Sequence, residues 1–237
     1  VNIIGNIDII GDTHGFIGNI IRWAETGDTR NLIHVGDYGV GFSGWEKPTR
    51  DLASLLDDNN KTLFIIRGNH DDPSEFYNQS FLGKNGGGIY LVQDGTVATW
   101  GEEKILFNGG GISIDRSKRV QGISYWDDEK FKSVEVSETF DHLVTHISLT
   151  SIQGHNIQHP FILSWASDDS DLVTDLYQEQ QELSNWVDYL FAKGNKIKSW
   201  YYGHYHKSIQ SQYNETKCLG LNIGEIKPFN RREYNED

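Results

Sequence analysis

Residues 7–15 read IDIIGDTHG: a short, mostly apolar run that stops at a glycine and then presents a carboxylate, a hydroxyl and an imidazole. An apolar run of this length bounded by glycine and polar residues reads as a buried strand feeding a loop. The same pattern returns in LIHV (32–35) before GDYG, in LFII (63–66) before RGNHDD, and in SWYY (199–202) before GHYH. Between the first three lie FIGNIIRWAET (16–26) and KPTRDLASLLDDN (47–59), whose apolar spacing suits amphipathic helices. That alternation means βαβ units and a parallel sheet. In such sheets ligand-bearing residues gather outside the carboxyl ends of the strands, so the polar clusters are expected to converge in space.

Composition bounds the class. The 237 residues suit one large domain, taken here as 1–237 with a frayed end over 230–237, and 37% hydrophobic content is enough for a globular core. No window is apolar over a bilayer-spanning length, and the opening VNIIGNIDIIGD reads as a strand rather than a secretory leader. A single cysteine, Cys218, excludes an internal disulfide framework and fits a reducing, cytoplasmic setting. The net charge of −13 opposes unaided binding to extended nucleic acid or an anionic membrane. The absence of methionine has no physical account.

The middle of the chain changes character. Residues 86–113 alternate short strands with glycine turns and read as an antiparallel meander forming a second sheet. HLVTH (142–146) repeats the strand-to-polar pattern, 151–170 read as a long loop, and 171–194 carry leucines at helical spacing up to Gly194. The strand-end polar residues in order are Asp12, His14, Asp37, Asn69, His70, Asp71, His146, His204 and His206. In an extended segment His204 and His206 would point to one side. Oxygen and imidazole donors without thiolate suit a pair of divalent cations such as Mn, Fe, Zn, Ni or Mg, with one carboxylate, Asp37, able to bridge them. His34 reads as a packed core histidine. His142, His155 and His159 read as surface or loop residues, Arg67 as structural, and the triplets 86–88 and 109–111 as tight turns and close approaches to the site.

The motifs GDTHG, GDYG, RGNHDD, TH and GHYH, in this order from residue 11 to 206, resemble those of the calcineurin-like metallophosphoesterases, on the bacterial and phage side of the serine/threonine protein phosphatases and diadenosine tetraphosphate hydrolases. The resemblance implies an α/β, four-layer αββα sandwich of two mixed sheets with a dinuclear centre at the strand ends. It implies that Asp12, His14 and His206 hold one metal, Asn69, His146 and His204 the other, and that Asp37 bridges. Manganese is the first expectation. It further implies His70 as general acid or electrostatic stabiliser, oriented by Asp71, while a metal-activated water attacks phosphorus in line. A carboxylate-held imidazole could stay protonated for that role.

One departure stands out. The related enzymes continue the second motif as GDYVDRG, with a phosphate-gripping arginine, whereas this chain has GDYGVGFSG. Arg116 and Arg119 in ISIDRSKRVQG are the replacements the sequence offers, alongside Asn69 as a substrate contact. The opposing reading is a salt-bridge cluster of those arginines with Asp115, Asp127, Asp128 and Glu129. The expected activity is phosphomonoester hydrolysis on a phosphorylated small molecule, nucleotide or phosphoprotein. The alternatives are a phosphodiesterase or nuclease of the same fold, and an inactive binding scaffold.

Overall fold

The computed structural model describes residues 1–77, 80–84, 86–153 and 156–230. In chain order the elements are β1 (Asn2–Ile3), β2 (Ile7–Ile10), α1 (Gly18–Thr26), β3 (Asn31–His34), α2 (Glu46–Asp58), β4 (Thr62–Ile65), β5 (Phe81–Leu82), β6 (Gly88–Leu91), β7 (Thr96–Trp100) and β8 (Glu103–Asn108). There follow β9 (His142–Thr145), α3 (Thr150–Gln153), α4 (Pro160–Ala166), α5 (Leu172–Ala192), β10 (Ser199–Tyr202), β11 (Ile209–Tyr213), β12 (Thr216–Gly220) and β13 (Ile226–Pro228). The described strands form two mixed sheets, one ordered β13-β2-β3-β4-β6-β5 and the other β1-β7-β8-β9-β10-β12-β11.

The strands read as nearly continuous apolar runs because both faces of each sheet are covered. Ile7, Ile9, Ile33 and Phe64 of the first sheet meet Ile105, Phe107, Val144 and Tyr201 of the second in one buried cluster between the sheets. The alternate residues Ile10, Leu32, Leu63 and Ile65 face outward onto Ile20 and Trp23 of α1 and Leu52 and Leu56 of α2. Leu106, Leu143, Trp200 and Tyr202 face outward onto Leu183, Trp186, Val187 and Leu190 of α5. The result is an αββα sandwich. Each fully buried Leu or Ile contributes roughly 1.5–3 kcal/mol of burial, so the central cluster dominates over any single polar contact.

Three sequence expectations change here. The stretch 86–113 is not an antiparallel meander: β6 pairs parallel with β4 in the first sheet, and within this stretch β7 and β8 form an antiparallel hairpin in the second. The second sheet is largely parallel, through β8 with β9, β9 with β10 and β10 with β12. Residues 151–170 carry the short helices α3 and α4. Asn230 N–H donates to the Tyr201 hydroxyl at 2.9 Å. Residues 231–237 and His155 lie outside the described residues. Among the described residues no helix is long and apolar enough to cross a membrane.

Candidate metal centre

The parallel strands β2, β3 and β4 of one sheet and β9 and β10 of the other deliver their following loops to one place. The loops are stitched together by backbone: Thr13 and His14 N–H both donate to the Asp37 carbonyl, at 3.1 and 2.7 Å, and Gly203 N–H donates to the His146 carbonyl at 3.0 Å. His34 is a buried core residue as read, and it has a task. Gly36 N–H donates to its Nδ1 at 3.2 Å, so its Nε2 carries the proton and donates to Thr13 Oγ1 at 3.0 Å. That bond pins the first ligand loop to the second.

The seven side chains read as ligands lie together in two groups that share Asp37. Donor atoms of Asp12, His14, Asp37 and His206 lie within 4.8 Å of one another, as do those of Asp37, His146 and His204. Asn69 completes the second group, with its Oδ1 3.0 Å from His146 Nε2 and 2.8 Å from His204 Nδ1. Asp37 turns one oxygen to each side: Oδ1 is 3.3 Å from His146 Nε2 and Oδ2 is 3.8 Å from His14 Nε2. This is the disposition a bridging carboxylate requires.

The donor set fits divalent cations. Asp12 Oδ1 is buried without a hydrogen-bond partner among the described residues, while Oδ2 accepts from His204 N–H at 2.9 Å. An orphaned buried carboxylate oxygen is costly unless something of opposite charge meets it. Burial holds the His146 imidazole down at about 3, and burial likewise lowers His14, so both rings present lone pairs at neutral pH. His146 Nδ1–H donates to the Val35 carbonyl at 2.8 Å, which leaves Nε2 as the free lone pair. Burial first, then the neighbouring Asp12 and Asp71, push the Asp37 carboxyl well above the usual carboxylate range, a penalty that a cation would relieve.

Backbone strain concentrates at the same place. His14, Asp37, His204 and His206 have φ of 47°, 59°, 66° and 51°, a left-handed conformation costing on the order of 1–3 kcal/mol per non-glycine residue. The two C-terminal histidines are therefore not on an extended segment with both rings to one side. They follow β10 through left-handed bends, which send His204 to the second group and His206, at 3.3 Å from Asp12 Oδ2, to the first. Glycine is required next to them, since a Cβ on Gly203 would stand 2.0 Å from Asp12 Oδ1 and one on Gly68 would stand 2.1 Å from Asp37 Oδ1.

Several site expectations need correction. Asp71 does not orient His70. Its carboxylate accepts from the backbone N–H groups of Asp37, Gly39, Val40 and Gly68 at 2.7–2.8 Å and from Tyr38 at 3.4 Å, so it shapes the loop that carries Asp37. The partner of His70 is Arg119, whose Nη2 donates to His70 Nε2 at 2.5 Å. A guanidinium only donates, so the ring accepts and is neutral. Burial, Arg119 and His14 hold it down at about 2, against the protonated imidazole expected from the sequence. Arg116 points away from the site and is held by Asp169 at 2.6 Å and Asp175 at 2.7 Å, which is the salt-bridge reading with different acids. Arg119 pairs with Asp115 at 2.7 Å.

The remaining residues fall as follows. Arg67 is buried against Asp94 and the Glu129 and Lys130 carbonyls, a structural role as read. His142 is not a surface residue: it is buried in β9 between Ser199 and Glu103, at 2.7 and 3.0 Å. His159 is exposed and caps α4. A Cβ on Gly111 would crowd Ile147 and His146 beside the site, but Gly87 packs against the end of α2 and Gly88 against β5, neither touching a site residue.

Sequence reading missed Ser113. Its Oγ accepts from Asn69 Nδ2 at 3.0 Å, and its N–H donates to Glu129 Oε1 at 2.7 Å. The first bond fixes the Asn69 amide so that Oδ1, not Nδ2, faces His146 and His204. Glu129 is buried and its carboxyl is pushed up to about 8. The one signal was position, since Ser113 follows GGGI just past a strand end.

Two donor clusters sharing one carboxylate at the edge of a double-sheet sandwich define a candidate site for divalent cations. The family model described as calcineurin-like phosphoesterase matches residues 5–208, and the chain belongs to that family. It is a metal-dependent phosphoesterase acting on phosphorylated substrates. A comparison with curated proteins returns no match.

Proposed function

We propose that this chain hydrolyses phosphomonoesters, with two divalent cations, manganese first among them, held by Asp12, His14, Asp37 and His206 on one side and by Asp37, Asn69, His146 and His204 on the other. The observation that supports a monoester is Arg119, a fixed cation lining the same pocket as His14, Asp37, Asn69 and His70. A terminal phosphate dianion has one more charged oxygen than a diester, and a guanidinium beside the metal centre matches that oxygen. Arg119 is thus the cation this pocket offers in place of the arginine that the second motif lacks.

A bound pair of divalent cations supplies positive charge to the phosphoryl oxygens and makes hydroxide available near neutral pH. The chain's own residues do the rest. Arg119 leaves His70 Nε2 for a phosphate oxygen when substrate enters, and the freed imidazole stands at the ester oxygen. The new P–O bond to water forms as the P–O bond to the alcohol breaks; His70, protonated from solvent once Arg119 has left its Nε2, gives that proton to the alcohol oxygen, and the proton released by the attacking water passes to solvent. Asp71 acts at one remove, by holding the Asp37 loop in its left-handed turn.

Parallel assays of the Mn-loaded protein on 4-nitrophenyl phosphate and its bis ester test this reading. The monoester should be the better substrate, and a preference for the diester would overturn the assignment. Arg119→Ala should lower kcat/KM for the monoester by roughly 10–100-fold, the loss of one charge-assisted contact, with a smaller effect on the diester. Arg116→Ala should leave kcat/KM nearly unchanged and lower the melting temperature instead, because it removes a partly buried pair from between the Arg116 turn and α5. The opposite pattern for the two arginines would reverse their roles.

A further inference from the structure

A cavity of about 370 Å³ opens from the metal centre, and its far wall is apolar: Ile114, Ile157, Phe161, Ile162, Trp165 and Leu176. That volume is in the range of small-molecule pockets. Ile157, Ile162, Trp165 and Leu176 belong to a satellite core distinct from the two that pack α1, α2 and α5 against the sheets. The wall is held in place from outside. Lys118 pairs with Asp168 at 2.5 Å and Arg116 with Asp169 at 2.6 Å, so the turn that carries Arg119 is tied to the end of α4.

Two features of this wall are not explained by packing. Phe161 lines the cavity yet is 58% exposed, which leaves a large apolar ring at the mouth. Trp165 Nε1 is buried without a hydrogen-bond partner among the described residues, and Trp165 is the cavity-lining residue of which this is true. A buried indole N–H normally finds an acceptor. The other polar groups toward this wall are engaged: Gln180 with Thr150 and Ser148, Tyr205 with Ser148, and Glu179 with the Phe131 N–H.

We infer that this cavity receives the alcohol part of the substrate, and that this part carries a flat heteroaromatic ring with a hydrogen-bond acceptor for Trp165 Nε1, as in a nucleoside monophosphate. The inference rests on the phosphomonoesterase reading and adds its substrate class. The cavity is continuous with the metal centre through Asn69, His70 and Arg119, so a phosphate gripped there places its ester oxygen toward the apolar wall. Phe161 offers a face for stacking. Trp165 offers the single donor that distinguishes a heteroaromatic ring from a plain aliphatic group.

The test compares adenosine 5′-monophosphate with glycerol 1-phosphate in the Mn-loaded protein and in Phe161→Ala and Trp165→Phe. For the nucleotide, Phe161→Ala should raise KM about 10-fold or more, the loss of one stacking face, and Trp165→Phe should raise it about 3–10-fold. For glycerol 1-phosphate both variants should stay within about 2-fold of the parent. Equal losses on both substrates, or no wild-type preference for the nucleotide, would overturn the inference while leaving the phosphomonoesterase reading intact. Calorimetric titration with adenosine, the product alcohol, separates the two further. Binding weakened by the Phe161 and Trp165 changes upholds the cavity assignment even if no monoester is turned over, and absence of binding overturns it.

Discussion

Replacing Asp37 with asparagine should remove metal and activity together, with kcat/KM falling by about 10³-fold or more. Both clusters depend on this one carboxylate, so its loss takes several kcal/mol of charge stabilisation from each side of the site. Asparagine keeps the shape and can still accept the His70 N–H, which Asp37 Oδ1 accepts at 2.7 Å. The fold should therefore survive. Burial and the neighbouring carboxylates already disfavour the Asp37 charge, so the metal-free variant should melt no lower than the metal-free parent. The Mn-dependent rise in melting temperature, present in the parent, should be absent from the variant. A variant that keeps that rise and its turnover would show that the two groups of donors do not work through a shared ligand.

His70→Asn should lower turnover by on the order of 10²–10⁴-fold while metal content stays at the parental level. The ring touches the centre without belonging to either donor group: it stands edge-on to His14 with centroids 4.7 Å apart and lies parallel to Phe42 at 6.2 Å. Its bond from Arg119 makes it a neutral acceptor, and in the proposed mechanism it acts at the ester oxygen after Arg119 has been drawn to phosphate. Arg119 keeps Asp115 but loses its His70 contact in the variant, and KM for the monoester should rise alongside the fall in kcat. Metal analysis showing lost ions in His70→Asn, or turnover at the parental rate, would remove His70 from the reaction.

The strand ends were legible because both-face burial writes itself as continuous apolar runs, and the first glycine after each run marks where the chain leaves the sheet. Asp12, Asp37, Asn69 and His204 could be placed from that pattern alone, and His146 from the apolar run before it without a glycine. The left-handed bends at His204 and His206 could not, since non-glycine residues adopt them only when surrounding contacts impose them. Arg116 and Arg119 sit three residues apart, and from the sequence they were interchangeable. A single tight turn sends them to opposite sides, one to Asp169 and Asp175 and the other to His70. Asp71 was read as the partner of the imidazole beside it in sequence, but the backbone of the preceding motif claimed its oxygens first. The parallel pairing of the second sheet joins strands far apart in the chain, such as β8 with β9, and local periodicity carries no information about such pairings. The short helices between 150 and 166 fell below the length at which apolar spacing identifies a helix.

The most direct test of the central claim is to locate manganese in crystals of the Mn-loaded protein by anomalous scattering. Two peaks roughly 3.5–4 Å apart on either side of the Asp37 carboxylate, one beside Asp12, His14 and His206 and the other beside Asn69, His146 and His204, are the predicted result. A single peak at full loading, or peaks away from Asp37, would contradict it.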